Sequence, residues 1–260
     1  MRFFAPAACA LLAACGSIQP AETPTGPHFK VLTYNVNYGG PGADLARQAI
    51  LEEDADIVCL QETTAAWERF LKPDLSKVYP FVRFHHSGGA GGLAVFSKWA
   101  VTEPELVESP VGWFPAWIFV ARTPVGPVQI GVFHLHPGVN ENGSFTPYAY
   151  LSTAPKARLK ETNAFYRRLA PGLPTLLVGD FNEGDAGGSI GWLGERGLKD
   201  ALPKFDTSTK TWHWTTSCGI TVKHRLDHVL YSDDLYCLDA RVREKGASDH
   251  YPVIAVFERR

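Results

Sequence analysis

The sequence predicts a strand-heavy α/β domain, and three observations carry that prediction. Seven apolar runs of strand length recur along the 260 residues, two stretches have helical spacing, and no linker interrupts the pattern after residue 28. About 230 residues remain beyond that point, enough for one domain with a substantial core. The elements follow in order. Phe29 to Tyr34 alternates apolar and polar residues, as a half-buried strand does, and delivers Asn35 at its end. Asp44 to Glu53 carries Leu45, Ala49 and Ile50 with charges opposite, the spacing of a helix. Ile57 to Leu60 is a short buried run that delivers Glu62. Gly92 to Ser97 and Trp117 to Ala121 read as core strands, and the glycines from Gly88 to Gly92 permit a tight hairpin. Val128 to Phe133 delivers His134. Pro155 stands before a helix from Lys156 to Leu169, and Thr175 to Val178 then delivers Asp180 and Asn182. The last strand, Pro252 to Phe257, follows Asp249 and His250, so an antiparallel partner brings these two to the rim that collects the others.

The beginning of the chain differs in character. Arg2 is the only basic residue ahead of an apolar stretch from Phe3 to Ala14, too short to span a bilayer, which reads as an export signal over residues 1–14. It ends in Leu12-Ala13-Ala14-Cys15-Gly16, which resembles the lipobox of bacterial lipoproteins; that resemblance implies lipidation of Cys15 and a place in the bacterial cell envelope, exported and anchored to a membrane. Residues 15–28, rich in Pro, Thr and Gly, read as the lipidated cysteine and a flexible tether, leaving residues 29–260 as the folded domain. A net charge of −2 and the lack of a Lys/Arg stripe argue against long nucleic acid as a partner, and the chain is expected to act as a monomer. Cys59 lies in an apolar run and reads as a small buried hydrophobe; an oxidising compartment would permit Cys218 to pair with Cys237.

Carboxylates, amides and imidazoles at the strand ends are what a hard divalent cation and a phosphate ester both require. Leu32-Thr33-Tyr34-Asn35, Leu60-Gln61-Glu62, Gly179-Asp180-Phe181-Asn182 and Ser248-Asp249-His250, in that order, resemble the motifs of the endonuclease/exonuclease/phosphatase superfamily, over the whole span from about residue 29 to 257. The resemblance implies a two-sheet β-sandwich flanked by helices, the DNase I-like four-layer α/β/β/α arrangement. It implies a Mg²⁺- or Mn²⁺-dependent hydrolase of phosphate esters, with Glu62 as metal ligand, Asn35 assisting at the metal or phosphate, and Asp249 placed to hold the His250 imidazole or bind metal. Asp180 would orient or activate water, Asn182 would donate to the phosphate, and His250 would serve as general base or stabilise developing charge. His134 would bond a phosphate oxygen, with Asp227 orienting His134 through its other ring nitrogen.

Two other readings compete. His85, His86, His134 and His136 form a candidate zinc set, although zinc favours imidazole and thiolate whereas the assembled donors are mostly oxygens. A lipid-anchored binding protein that keeps the fold without catalysis is the other. Among further residues, Arg158 fits packing or ion pairing, His228 fits a structural role, and the segment from Pro137 to Pro155 has the length of a substrate-recognition loop. Trp113, Phe114, Trp117, Trp212 and Trp214 fit either core packing or contact with a base or lipid. The resemblance implies hydrolysis by a single displacement by water at phosphorus, with no covalent enzyme intermediate.

Overall fold

The computed structural model describes residues 18–40, 42–139 and 143–260. Strand β1 (His28–Asn35) leads through helix α1 (Ala43–Glu53) into β2 (Ile57–Gln61), followed by α2 (Ala65–Leu75) and the hairpin of β3 (Phe81–His85) and β4 (Leu93–Ser97). Strands β5 (Glu105–Val107), β6 (Ala116–Thr123) and β7 (Gly126–His134) come next, and helix α3 (Ala154–Tyr166) carries the chain into β8 (Thr175–Asp180). Helix α4 (Gly188–Gly194), β9 (Lys199–Asp200) and α5 (Leu202–Phe205) precede a separate hairpin, β10 (Trp212–Thr215) and β11 (Thr221–His224). The last strands are β12 (Asp227–Tyr231), β13 (Leu235–Val242) and β14 (Val253–Arg259).

Two six-stranded sheets result, ordered β13-β14-β1-β2-β4-β3 and β5-β6-β7-β8-β12-β9. Each holds one parallel pair at its centre, β1 with β2 and β7 with β8, and a helix crosses over between the members of each pair. Alternation along the central strands sends one set of residues inward and the next outward. Phe29, Val31, Ile57 and Cys59 thus meet Phe119, Ile130, Val132, Leu176 and Val178 between the sheets. The outward residues Leu32, Tyr34, Val58 and Leu60 pack under α1 and α2, while Phe133, Leu177 and Phe181 pack under α3 and α4. This is the four-layer α/β/β/α sandwich.

The topology fixes where polar groups gather. Both parallel pairs end at the same edge of the sandwich, and in open parallel sheets that carboxyl edge is where a crevice forms. Gly179 is required for the approach of β8 to β7: its φ is +137°, and a Cβ there would lie 1.9 Å from the Phe133 carbonyl oxygen. Gly179→Ala is therefore expected to destabilise the fold by about 2 kcal/mol or more, read as a lowered urea midpoint; an unchanged midpoint would contradict this packing.

His228 is fully buried and faces away from the crevice, with Nδ1 2.6 Å from Asp200 Oδ2 and Nε2 2.9 Å from the Glu183 carbonyl. Both partners are acceptors, so both ring nitrogens donate and the ring is an imidazolium. Burial opposes the charge, but Asp200 outweighs it and the pKa rises to about 9. A raised histidine pKa gives a stabilisation fully present below about pH 6.5 and lost as pH climbs through about 9, worth up to about 3 kcal/mol. Wild type should lose urea resistance between pH 6.5 and 9.5 and His228→Gln should lose less; equal losses would contradict this.

Two expectations are corrected. Cys218 and Cys237 are both free thiols. Cys237 is buried on β13 whereas Cys218 lies exposed in the turn between β10 and β11, so their places in the fold keep them apart. The segment expected to be a free tether lies along the domain from residue 19: Gln19 N–H donates to the Lys204 carbonyl, Glu22 N–H to the Leu238 carbonyl, and the Thr25 and Gly26 N–H groups to Glu258. Cys15 and the export signal fall outside the described residues. No helix among the described residues is long and apolar enough to cross a membrane.

Candidate active site

Strand register assembles the site. His134, Asp180 and Asp227 are in line across β7, β8 and β12, and Asn35 ends β1 beside Gln61 of β2. One residue on, Glu62 turns back into the crevice with φ +61°. Among the described residues, the four non-glycine residues with left-handed backbone are Asn37, Asp54, Glu62 and Asn182, three of them here. Such backbone is strained for ordinary side chains and collects where geometry is over-determined, as at functional sites.

Asn35 is the hub. Its amide nitrogen donates to Glu62 Oε1 at 3.0 Å and to Asp180 Oδ2 at 3.1 Å, and so joins the two sheets. The Tyr38 N–H donates to Glu62 Oε2 at 3.1 Å. Burial pushes the Glu62 carboxyl above its usual range, with Asn35 and Tyr38 pulling down and the nearby Asp249 pushing up. Asp180 is buried and likewise raised by burial, while its Oδ1 accepts the Asn182 N–H at 2.8 Å. That bond is an Asx turn, and it leaves the carboxylate facing both imidazoles: His134 Nε2 and His250 Nε2 each lie 3.6 Å from Asp180 Oδ2.

The two imidazoles differ electrically. His134 is buried and stacks on Phe114 at 4.0 Å between ring centroids. Burial first, then repulsion from His250, holds its pKa down to about 3, so the ring is neutral. His250 is equally buried, and burial would discharge it too; Asp227, then Asp180, overturn that and hold its pKa well above the usual value. Its Nδ1 lies 2.8 Å from Asp227 Oδ2. Here the structure corrects an expectation: Asp227 orients His250, not His134, because β14 enters the site beside the first residue of β12.

Other placements also differ. Asp249 does not hold the imidazole; it accepts from Asn37 Nδ2 at 2.9 Å and Trp212 Nε1 at 3.0 Å. Asn182 lies beyond the end of β8, which closes at Asp180, and is turned by its φ of +53°. One Asn182 amide hydrogen is used on the Leu135 carbonyl at 2.9 Å. Arg158 is buried, donating to the Asn182 and His136 carbonyls and lying 3.4 Å from Glu183, a packing and ion-pair role. Ser248 Oγ donates to the Asn35 carbonyl at 2.8 Å and pins the turn before His250 to the end of β1.

Sequence reasoning missed Asn37 and gave Trp212 only packing or contact with a base or lipid, yet both hold Asp249. The signal for Asn37 was its place two residues beyond Asn35.

A model described as the Endonuclease/Exonuclease/phosphatase family matches residues 32–250. The chain belongs to the endonuclease/exonuclease/phosphatase family. Members of this family hydrolyse phosphate esters and are generally dependent on a divalent metal. No curated protein matches the chain significantly. Among solved structures, TDP2 from D. rerio complexed with single strand DNA product is 16% identical, covered over 89% of this chain and 99% of that one, with a TM-score of 0.68. An endonuclease/exonuclease/phosphatase from Beutenbergia cavernae is 15% identical over 90% of this chain and 72% of that one, TM-score 0.66. A functionally unknown conserved protein from Enterococcus faecalis is 18% identical over 89% and 100%, TM-score 0.65. At such identities the likeness establishes the shared fold.

The residues of this family site suit a hard cation. Among the described residues, Glu62, Asp180, Asp227 and Asp249 have no lysine or arginine nitrogen within 4.0 Å, and only His250 opposes their charge by a direct bond. One oxygen of Asp227 is buried without a hydrogen-bond partner. Such an excess of negative charge on two buried and two half-buried carboxylates calls for a divalent ion. The zinc alternative is not supported. His86 bonds Glu68 at 2.6 Å, His136 Nδ1 meets the Pro137 carbonyl, and among the described residues the four histidines form no converging group.

Proposed function

We propose that the chain is a Mg²⁺- or Mn²⁺-dependent phosphodiesterase acting by a single displacement by water at phosphorus. The observation that carries this reading is the convergence of Asp180 with one neutral and one charged imidazole, at 3.6 Å each, beside the Asn35-linked carboxylate of Glu62.

Glu62, Asn35 and Asp249 would hold the ion, which when bound supplies positive charge to the phosphoryl oxygens. Asp180 is the group placed to take the proton of the attacking water. Its Oδ1 is fixed by the Asn182 N–H and its Oδ2 by Asn35, so the carboxylate cannot rotate away. His250, with Nδ1 fixed on Asp227, offers its Nε2–H to the charge that builds on phosphorus; the raised pKa suits a donor better than a base. His134 adds a neutral imidazole to the same point, braced by Phe114. Asn182 retains one amide hydrogen for a phosphoryl oxygen.

The reading extends to location and substrate. The Leu12-to-Gly16 string supports export and lipid attachment at Cys15, in the bacterial envelope, and the net charge of −2 supports a small or lipid-linked phosphoester over long nucleic acid.

Chelated, metal-free protein assayed on bis(p-nitrophenyl) phosphate should be inactive. Mg²⁺ or Mn²⁺ should restore turnover at least about 10²-fold. Activity that survives chelation, or that returns with zinc alone, would overturn the proposal.

A further inference from the structure

A cavity of about 550 Å³ opens onto the reaction centre at Asn182. Its walls are Trp212, Trp214, Val222 and Leu226 on one side and Phe145 and Tyr150, from the segment after β7, on the other. Trp212 and Trp214 share a face of β10 because they are two residues apart. Trp212 gives its indole N–H to Asp249, so its side chain turns carbon toward the cavity while joining the cavity wall to a candidate metal ligand. Phe145 and Tyr150 lie against each other at 5.9 Å between centroids. Among the described residues no carboxylate, lysine or arginine lines the cavity, and its polar side chains are Asn182, His224 and the Tyr150 hydroxyl. The same elements also leave large apolar side chains in water: Phe145 is 68% exposed, Trp214 54%, Leu151 74%, and Ile220 at the hairpin turn 63%. Apolar surface of that kind at the mouth of a pocket marks an apolar binding partner.

We propose that this cavity receives the hydrocarbon part of an amphiphilic phosphoester, so that the substrate class is a lipid-linked phosphodiester whose phosphate lies among His134, Asp180 and His250. The proposal rests on the phosphodiesterase reading above and specifies its substrate. A nucleobase would fit the walls less well: its edges need hydrogen-bond partners and its flanking phosphates need Lys or Arg, and among the described residues the cavity supplies no Lys or Arg and few polar groups. A hydrocarbon chain needs only the carbon faces that are there.

The test uses the full chain with Mg²⁺ and p-nitrophenyl phosphodiesters whose second ester is methyl, hexyl or thymidine 5′, below any micelle concentration. The leaving group is constant, so differences report the cavity. The value of kcat/KM should rise at least about tenfold from methyl to hexyl, chiefly through KM, as buried methylenes dictate. In Trp214→Ala and in Val222→Asp the hexyl-to-methyl ratio should fall to within about twofold of unity. A ratio near one in the wild type, or faster turnover of the thymidine ester than the hexyl ester, would overturn the proposal. Failure to hydrolyse any ester, methyl included, would count against the phosphodiesterase reading instead. The cavity is then judged by binding, since tryptophan fluorescence should report tighter binding of hexyl phosphate than of methyl phosphate, and equal binding would overturn it.

Discussion

His250→Ala is expected to lower kcat/KM on a phosphodiester by about 10²–10⁴-fold, the usual worth of a positioned proton donor. The ring sits between two carboxylates, 2.8 Å from Asp227 and 3.6 Å from Asp180, and nothing else charged and positive touches either of them among the described residues. Truncation therefore removes the donor and strands Asp227 in a dry site, so a drop in stability of about 3 kcal/mol should accompany the loss of rate. Asp227→Asn separates the two effects. It keeps the ring but removes the charge that holds its pKa up, so the alkaline limb of kcat/KM should move to lower pH. An unshifted limb in Asp227→Asn, or full turnover in His250→Ala, would remove His250 from the mechanism.

Glu62→Gln should cost about 10³-fold in metal-dependent turnover and abolish tight Mn²⁺ binding by calorimetry, because a ligand carboxylate supplies charge that an amide of the same shape lacks. The residue is held open by its left-handed backbone and by two donors, Asn35 Nδ2 and the Tyr38 N–H. The glutamine NH₂ must face one of these donors, which weakens the site locally, yet the variant also loses a carboxylate whose burial is unfavourable. The fold should survive, as circular dichroism and the urea midpoint will show. Retained Mn²⁺ affinity in a folded Glu62→Gln protein would mean that the cation binds elsewhere.

The sequence was most legible where residue type and strand end coincide. Asn35, His134 and Asp180 each close a central strand, and Glu62 follows one directly, so pattern alone placed them at one edge. Partner choice was less legible. Which histidine Asp227 serves depends on the register of β12 with β8 and on the path into β14, neither of which is written locally. Asn37 and Trp212 reach Asp249 from 212 and 37 residues away in the chain, contacts no short window contains. Helix α2 was missed because Pro73 reads as a breaker; it falls near the end of the helix, where Thr64 has already capped the first turn by accepting the Trp67 N–H. Helix α4 was hidden by its glycines and is held by Glu183, whose carboxylate accepts the Ser189 and Ile190 N–H groups from outside the helix.

Anomalous diffraction from crystals soaked in Mn²⁺ tests the central claim most directly. A peak in contact with the Glu62 carboxylate, in the crevice shared with Asp180 and His250, is the predicted result. A crevice without a peak, or a peak only at the second acidic group of Asp185, Asp200 and His228, would contradict it.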